Sequence, residues 1–331
     1  MRRLLMGAVV LLTAACSAGN TVARPTVTVT VTASGPPSAS PTASSPASSS
    51  ASPTAAPPTR LASRPVVAPD GRRCPDHPTP ACTGLPPGTT LRTLAANDGP
   101  AHRVTKANTV LDGVHVTGDL LIAADNVKIV NSQIDGGVQA EFDGRDYTYS
   151  IADSTVGPTG QCLTAPAIGV ANYTVERVLI RGHADGFRDS GDNISIKDSY
   201  ARLCSDGTKN YSDGVQTFNA GKNFTLDHTT LDMRGVANYN SPIFFNDRPD
   251  GTRDVTVTNN LVMGGNYTVQ LHNIHGSLIV KNNLVVDKTW EFAPMSGDCL
   301  DTIQFEENHI VTIDQDYRVT SIVRPLTCNG K

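Results

Sequence analysis

The sequence predicts an all-β solenoid, a parallel β-helix, and three observations carry that expectation. An eight-residue block recurs eight times, only 5% of residues are aromatic, and glycine (28) and proline (22) are plentiful. An elongated coil buries a thin column of aliphatic side chains and so needs few aromatics. The block reads apolar-x-apolar-x-(Asn/Asp)-(Ser/Asn)-x-apolar. Its instances are VKIVNSQI (127–134), YSIADSTV (149–156), YTVERVLI (173–180), ISIKDSYA (194–201), FTLDHTTL (224–231), VTVTNNLV (255–262), LIVKNNLV (278–285) and IQFEENHI (303–310). Successive starts lie 22, 24, 21, 30, 31, 23 and 25 residues apart.

Each position has a physical reading. The first and third residues alternate with solvent-facing ones, which is strand periodicity. Val, Ile and Thr favour strand over helix. Asn, Asp and Ser then cluster at a bend, where short polar side chains satisfy turn backbone and bond to their equivalents on neighbouring coils. The last apolar residue re-enters the core. A repeat of this length without helical period points to stacked β-coils. The spacings of 30 and 31 mark coils with inserted loops, where function concentrates.

The coil length and the Asn-rich bend resemble the pectate-lyase-like superfamily of right-handed parallel β-helices, over roughly residues 110–331. The wider resemblance is to surface lipoproteins of actinobacterial type built on this fold. It implies polysaccharide as the substrate class. The Asn-Thr-Asp, Asp-Asp, Gly-His-Gly and Arg-Ile-Lys motifs of polygalacturonases are missing; Gly182-His183-Ala184 is the nearest approach to the third. Elimination is therefore expected ahead of hydrolysis.

The N-terminus reads as an export signal: Arg2 and Arg3, an apolar run over 4–12, then Thr13-Ala14-Ala15 before Cys16. Cys16 resembles a lipobox cysteine, with Thr13 where that motif usually has Leu; plain secretion with cleavage near Ala15 or Ala18 is the alternative. Residues 17–68 contain no Asp, Glu or aromatic residue and are expected to be a disordered Pro-stiffened linker. The folded domain is expected over 69–331, with an irregular cap over 74–106 covering the first coil. The expected location is the outer face of the membrane, with contact to the membrane only through a lipid at Cys16. Net charge is -4, from 27 basic and 31 acidic side chains, which excludes a general nucleic-acid surface. A monomer is expected.

Six cysteines remain beside Cys16, and an even number in an exported chain predicts disulfides. Proximity pairs Cys74 with Cys82, Cys162 with Cys204, and Cys299 with Cys328. No CxxC spacing supports zinc.

A second recurring segment carries the candidate chemistry. His183-Ala184-Asp185-Gly186-Phe187-Arg188-Asp189 aligns with Tyr211-Ser212-Asp213-Gly214-Val215-Gln216-Thr217, and later counterparts are 242–246 and 267–272. With Gly186 on Gly214, Asp185 stacks on Asp213, about 5 Å away, the spacing of adjacent strands. Such a pair suits a calcium ion that neutralises a substrate uronate, with Arg188 or Lys209 taking the C5 proton. Gln216, Asn246, Arg248, Gln270 and His272 are expected to bind substrate, on an outward polar strip about four coils long, walled by loops at 206–211, 232–240 and 247–253. The plainer reading is that each Asp-Gly is a turn bonded to its own backbone. Two functional readings follow: a lyase acting on uronic-acid glycans, or a non-catalytic glycan-binding surface module; a bare structural spacer is the third. Trp290, the single tryptophan, is expected to pack over the core, and the pairs 259–260 and 282–283 to form Asn ladders.

Overall fold

A computed structural model describes residues 64–140, 145, 147–205, 207, 211–217, 219, 221–245, 251–300 and 303–328. The chain divides into two compact units, Met1–Ala55 and Ala56–Lys331, and every described residue lies in the second. The signal, Cys16 and the linker up to residue 63 are outside the described residues, as are Lys209, Asn246 and Arg248.

The described residues are all-β. Three sheets of nine, nine and eleven strands are visited in rotation. Val110–Asp112 opens a pass through the first sheet, Val114–Val116 through the second and Leu120–Ile122 through the third. Val127–Val130 then returns to the first. Pairing within each sheet is parallel, apart from the last strand of the second, Val319–Pro325, which runs antiparallel to His309–Ile313. This topology is compatible with a parallel β-helix.

The repeat falls in register. Position one pairs Val127 with Tyr149 and Tyr149 with Tyr173, and later Phe224 with Val255, Leu278 and Ile303. Position eight stacks Ile134 on Val156 and Ile180 in the second sheet. These side chains face inward and build one continuous core.

The bend has a definite geometry. Position five, Asn131, Asp153, Arg177, Asp198, His228, Asn259, Asn282 and Glu307, is left-handed in all eight blocks, with φ between 46° and 59°. Asn and Asp tolerate that conformation best among residues with a Cβ, so they dominate the position. Position six turns inward and forms a buried ladder. Asn260 N–H donates to Asn283 Oδ1 at 3.1 Å, and Asn283 N–H to Asn308 Oδ1 at 2.9 Å. Serines do the same earlier: Ser132 N–H donates to Ser154 Oγ at 3.0 Å. The expected ladder is thus held by Asn260 and Asn283, with Asn259 and Asn282 supplying the turn. A second, outer ladder of left-handed asparagines precedes the blocks: Asn193 Nδ2 donates to Asn172, and Asn223 Nδ2 to Asn193, each at 2.9 Å.

The three disulfides are Cys74–Cys82, Cys162–Cys204 and Cys299–Cys328, with Cα separations of 5.6, 5.9 and 5.8 Å. The N-terminal segment differs from the expected cap. Structure begins by residue 64, since Val66–Val67 pairs with Arg73–Cys74. The strands Arg92–Leu94 and His102–Val104 already belong to the parallel sheets. Residues 64–85 lie along the flank of the bends instead. Arg64 bridges Asp198 and Asp227, His228 Nε2 bonds the Asp76 carbonyl at 2.8 Å, and Gly84 N–H donates to Arg177 O at 2.8 Å. The reason is that the disulfide loop has only a small core of its own, Val66, Cys74 and Cys82, and left-handed bends leave polar groups for it to satisfy. His228, expected at a turn or on the surface, is a turn residue buried under this segment. At the other end, Ile313, Tyr317 and Val319 of the C-terminal hairpin pack on an outward apolar patch of the second sheet, Leu261, Met263, Leu284, Val286 and Val311.

Candidate functional site

The candidate residues sit on and before the strands of the third sheet. Phe187–Asp189 pairs with Val215–Thr217, which pairs with Ile243–Phe245, then Tyr267–Leu271, then Ala293–Gly297. Phe187, Val215, Ile243, Val269 and Met295 point inward. The alternating outward row is Arg188, Gln216, Phe244, Gln270 and Ser296. Arg188 and Gln216 are joined, Nη2 donating to Oε1 at 2.9 Å. Tyr173, from the first sheet, donates its buried hydroxyl to the Arg188 carbonyl at 3.0 Å and fixes the strand from behind.

Asp185 and Asp213 are brought together as neighbours, but they do not face outward as expected. Asp213 is 0% exposed and Asp185 7%. Neither is bonded to its own turn. Asp185 Oδ1 accepts the backbone N–H of Asp213 at 3.1 Å, and Asp213 Oδ1 accepts that of Ser241 at 3.2 Å, each one coil further on. The glycine after each Asp explains it. A Cβ on Gly186 would lie 2.5 Å from the Gly214 carbonyl oxygen, and one on Gly214 would strike the Pro242 carbonyl. Without those Cβ atoms the coils close up, and the carboxylates turn along the stacking direction into the next coil's amides.

The remaining carboxylate oxygens are also taken. Arg188 Nη2 reaches Asp185 Oδ2 at 3.3 Å, and Asn240 Nδ2 reaches Asp213 Oδ2 at 3.3 Å. Calcium needs six to eight oxygen ligands. A calcium here would have to displace Arg188 or Asn240, so the donor set does not fit the expected ion. Among the described residues no three His, Cys, Asp or Glu side chains converge on one point. Burial pushes the Asp185 carboxyl up to about 6, with Arg188 pulling the other way. Burial, then the charge of Asp185, raises Asp213 well above the carboxylate range.

Gln270 is buried and donates from Nε2 to Ser241 Oγ at 2.7 Å. His272 bonds Asp298 Oδ1 through Nδ1 and Ser296 Oγ through Nε2, both at 3.0 Å. Register gives Phe244, not Asn246, the place between Gln216 and Gln270. His183 is a framework residue: it is buried, bonds the Ala165 and Gly136 carbonyls, and is held below the usual imidazole range by burial. Trp290 packs against the core, as expected.

The sequence reading missed the aromatic edge of this sheet. Tyr211, Tyr239 and Phe292 lie just ahead of their strands, and Tyr267 opens the strand between those of Tyr239 and Phe292. Tyr211 is 59% exposed and Phe292 63%. The rings of Tyr267 and Phe292 are 5.7 Å apart, and Tyr239 Oη donates to Glu291 Oε2 at 3.1 Å. The backbone continues across these residues, Asn266 N–H donating to Asn240 O and Phe292 N–H to Asn266 O.

Comparison with protein-family models, with curated proteins and with solved structures finds no match to this chain.

Proposed function

We propose that the chain is an extracytoplasmic glycan-binding protein on a right-handed parallel β-helix of the pectate-lyase-like kind. The shelf on its third sheet takes an acidic, uronic-acid polysaccharide laid along the stacking direction. The observation that carries this is the aromatic edge of the sheet that bears Arg188 and Gln216: Tyr211 and Phe292 are exposed, and the half-buried Tyr267 packs its ring on Phe292. Aromatic faces stack on the apolar faces of sugar rings, and a guanidinium recognises a carboxylate. Coils repeat about every 4.8 Å, close to the length of one pyranose, so successive sugars meet successive coils. Export and a lipid at Cys16 place the shelf outside the cell; Cys16→Ser then releases the protein to the medium.

A second reading, a lyase, is favoured by one feature: a carboxyl raised to about 6 beside Arg188. Such a group is matched to proton transfer near neutral pH. In the elimination, a base removes the C5 proton, the C4–C5 double bond forms, and the C4 oxygen leaves. The burial of both carboxyls suits them better to holding Arg188 in place, so binding stands first.

The test is affinity electrophoresis of the full chain in polygalacturonate or alginate against a neutral glucan. Retardation is expected in the acidic polymers only, weakened about tenfold by Tyr267→Ala or Phe292→Ala. Equal mobility in all gels defeats the proposal. Ultraviolet absorbance of unsaturated products in the same mixtures decides between binding and elimination.

A further inference from the structure

Behind the shelf lies a polar group that the site does not use. Asp189 ends the strand Phe187–Asp189 and points inward like Phe187, fully buried. Its Oδ2 accepts a hydrogen bond from Thr252 Oγ1 at 3.2 Å, and its Oδ1 has no partner. On the next coil its register partner is Thr217, whose Oγ1 is also buried without a partner. Each buried polar atom left unpaired costs about 1–3 kcal/mol. Two at register-paired positions, in an inward column that goes on with Phe245 and Leu271, mark the place of a missing polar partner.

We propose that Asp189 and Thr217 hold one desolvated alkali-metal ion inside the coil. The donors are all hard oxygens, which exclude soft and transition metals as natural occupants. One carboxylate balances one positive charge; a divalent ion would leave a net charge buried, which is costly. Burial pushes the Asp189 carboxyl up to about 7, so a cation is also what would keep it ionised at neutral pH. Asp189 and Thr217 directly follow Arg188 and Gln216 in their strands, so the ion would tie two coils together at the back of the shelf.

The experiment is thermal unfolding of the full chain, dialysed into choline chloride and titrated with sodium or potassium chloride at constant ionic strength. One of the two ions is expected to raise Tm by about 2–4 °C or more at saturation. Asp189→Asn, which keeps the shape and removes the charge, should abolish that rise. Thr217→Val, which leaves the carboxylate in place, should shift the half-saturating concentration upward about tenfold. A Tm that neither ion raises above choline overturns the proposal. So does an equal rise in wild type and both variants, or an Asp189→Asn protein in choline as stable as wild type in the alkali salt.

Discussion

Asp185→Asn isolates the electrostatic cost built into the shelf. The asparagine Oδ1 still accepts the Asp213 amide, so the change removes the charge and, with it, the long 3.3 Å bond from Arg188 Nη2. Burial raises the Asp185 carboxyl from 3.8 to about 6 in the folded chain. Below about pH 4 the group is protonated in both folded and unfolded chains, and the variant should match wild type. Between about pH 4 and pH 6 the unfolded chain ionises first, so wild type loses stability as pH rises through the folded value. The accumulated loss is about 3 kcal/mol above that window. Removing the charge also relieves Asp213, which Asp185 pushes upward. Other carboxylates titrate alike in the two proteins and cancel in the difference. Urea unfolding at about pH 4 and pH 8 measures it: the variant should gain about 3 kcal/mol at the higher pH, or about 6–12 °C in Tm. A difference that stays flat, or moves in favour of wild type, would show that the Arg188 ion pair outweighs burial, and the reasoning fails.

Other outcomes follow from the frame. Asn283→Ala removes the Val257 and Asn308 bonds of Nδ2 and the acceptor of the Asn260 amide, all buried, and should lower the unfolding free energy by about 2–4 kcal/mol in urea. Glu307→Asn, at φ 53°, should raise it by about 0.5–1 kcal/mol, because asparagine adopts that conformation with less strain. Replacing Cys162 and Cys204 with serine opens a loop of 42 residues and should cost about 4 kcal/mol, against about 2.5 for the Cys74–Cys82 pair, 8 residues apart; the order of the urea midpoints checks it. Because all four oxygens of Asp185 and Asp213 already accept N–H groups, Tm should be the same in calcium as in chelator.

The coil frame was legible in the sequence because one position in it has a narrow conformational demand and its neighbours a strict alternation. The left-handed fifth residue selects Asn and Asp, and the buried sixth selects small hydrogen-bonding side chains. Both preferences survive eightfold repetition, so register followed from counting. The direction of Asp185 and Asp213 was not legible. A strand alternation rule puts the residue two before an inward Phe187 or Val215 inward as well, against the outward strip that the paired motif suggests. What the glycine permits is close stacking of coils, and that depends on the carbonyls of Gly214 and Pro242 on neighbouring passes. The aromatic edge was missed for a related reason: Tyr211 is the only aromatic at its place in the aligned segments 183–189 and 211–217, Phe292 lies outside both repeats, and only the aligned strands bring them to one side. Asp189 was read as part of a motif, though inward alternation with Phe187 already marked it as a carboxylate in the core.

The choice of the third sheet as the working face rests on what happens to the other two. The outer side of the second sheet is occupied at both ends. Gly84 of the N-terminal segment sits so close to Thr155 and Leu179 that a Cβ there would lie 2.7 Å from each. Further along, Tyr317 of the C-terminal hairpin bonds Tyr200 Oη at 2.6 Å and covers the Leu261–Met263 patch. The first sheet presents two outward rows: Lys128, Ser150, Thr174, Ser195, Thr225, Thr256, Ile279 and Gln304, and Glu176, Lys197, Asp227, Thr258, Lys281 and Glu306 beyond Val130 and Ala152. These rows stabilise cross-strand packing, with hydroxyls side by side and charges paired from coil to coil, as Lys281 with Glu306 at 3.2 Å, and neither row carries an aromatic ring. The third sheet is where a charged and amide row shares a face with an aromatic edge. It is also where buried carboxyls are kept at an energetic cost that an apolar or amide side chain would avoid. A cost of about 3 kcal/mol at one residue is a large part of the 5–15 kcal/mol by which a domain is stable. Its retention beside Arg188 is best accounted for by the work that the guanidinium does at the surface.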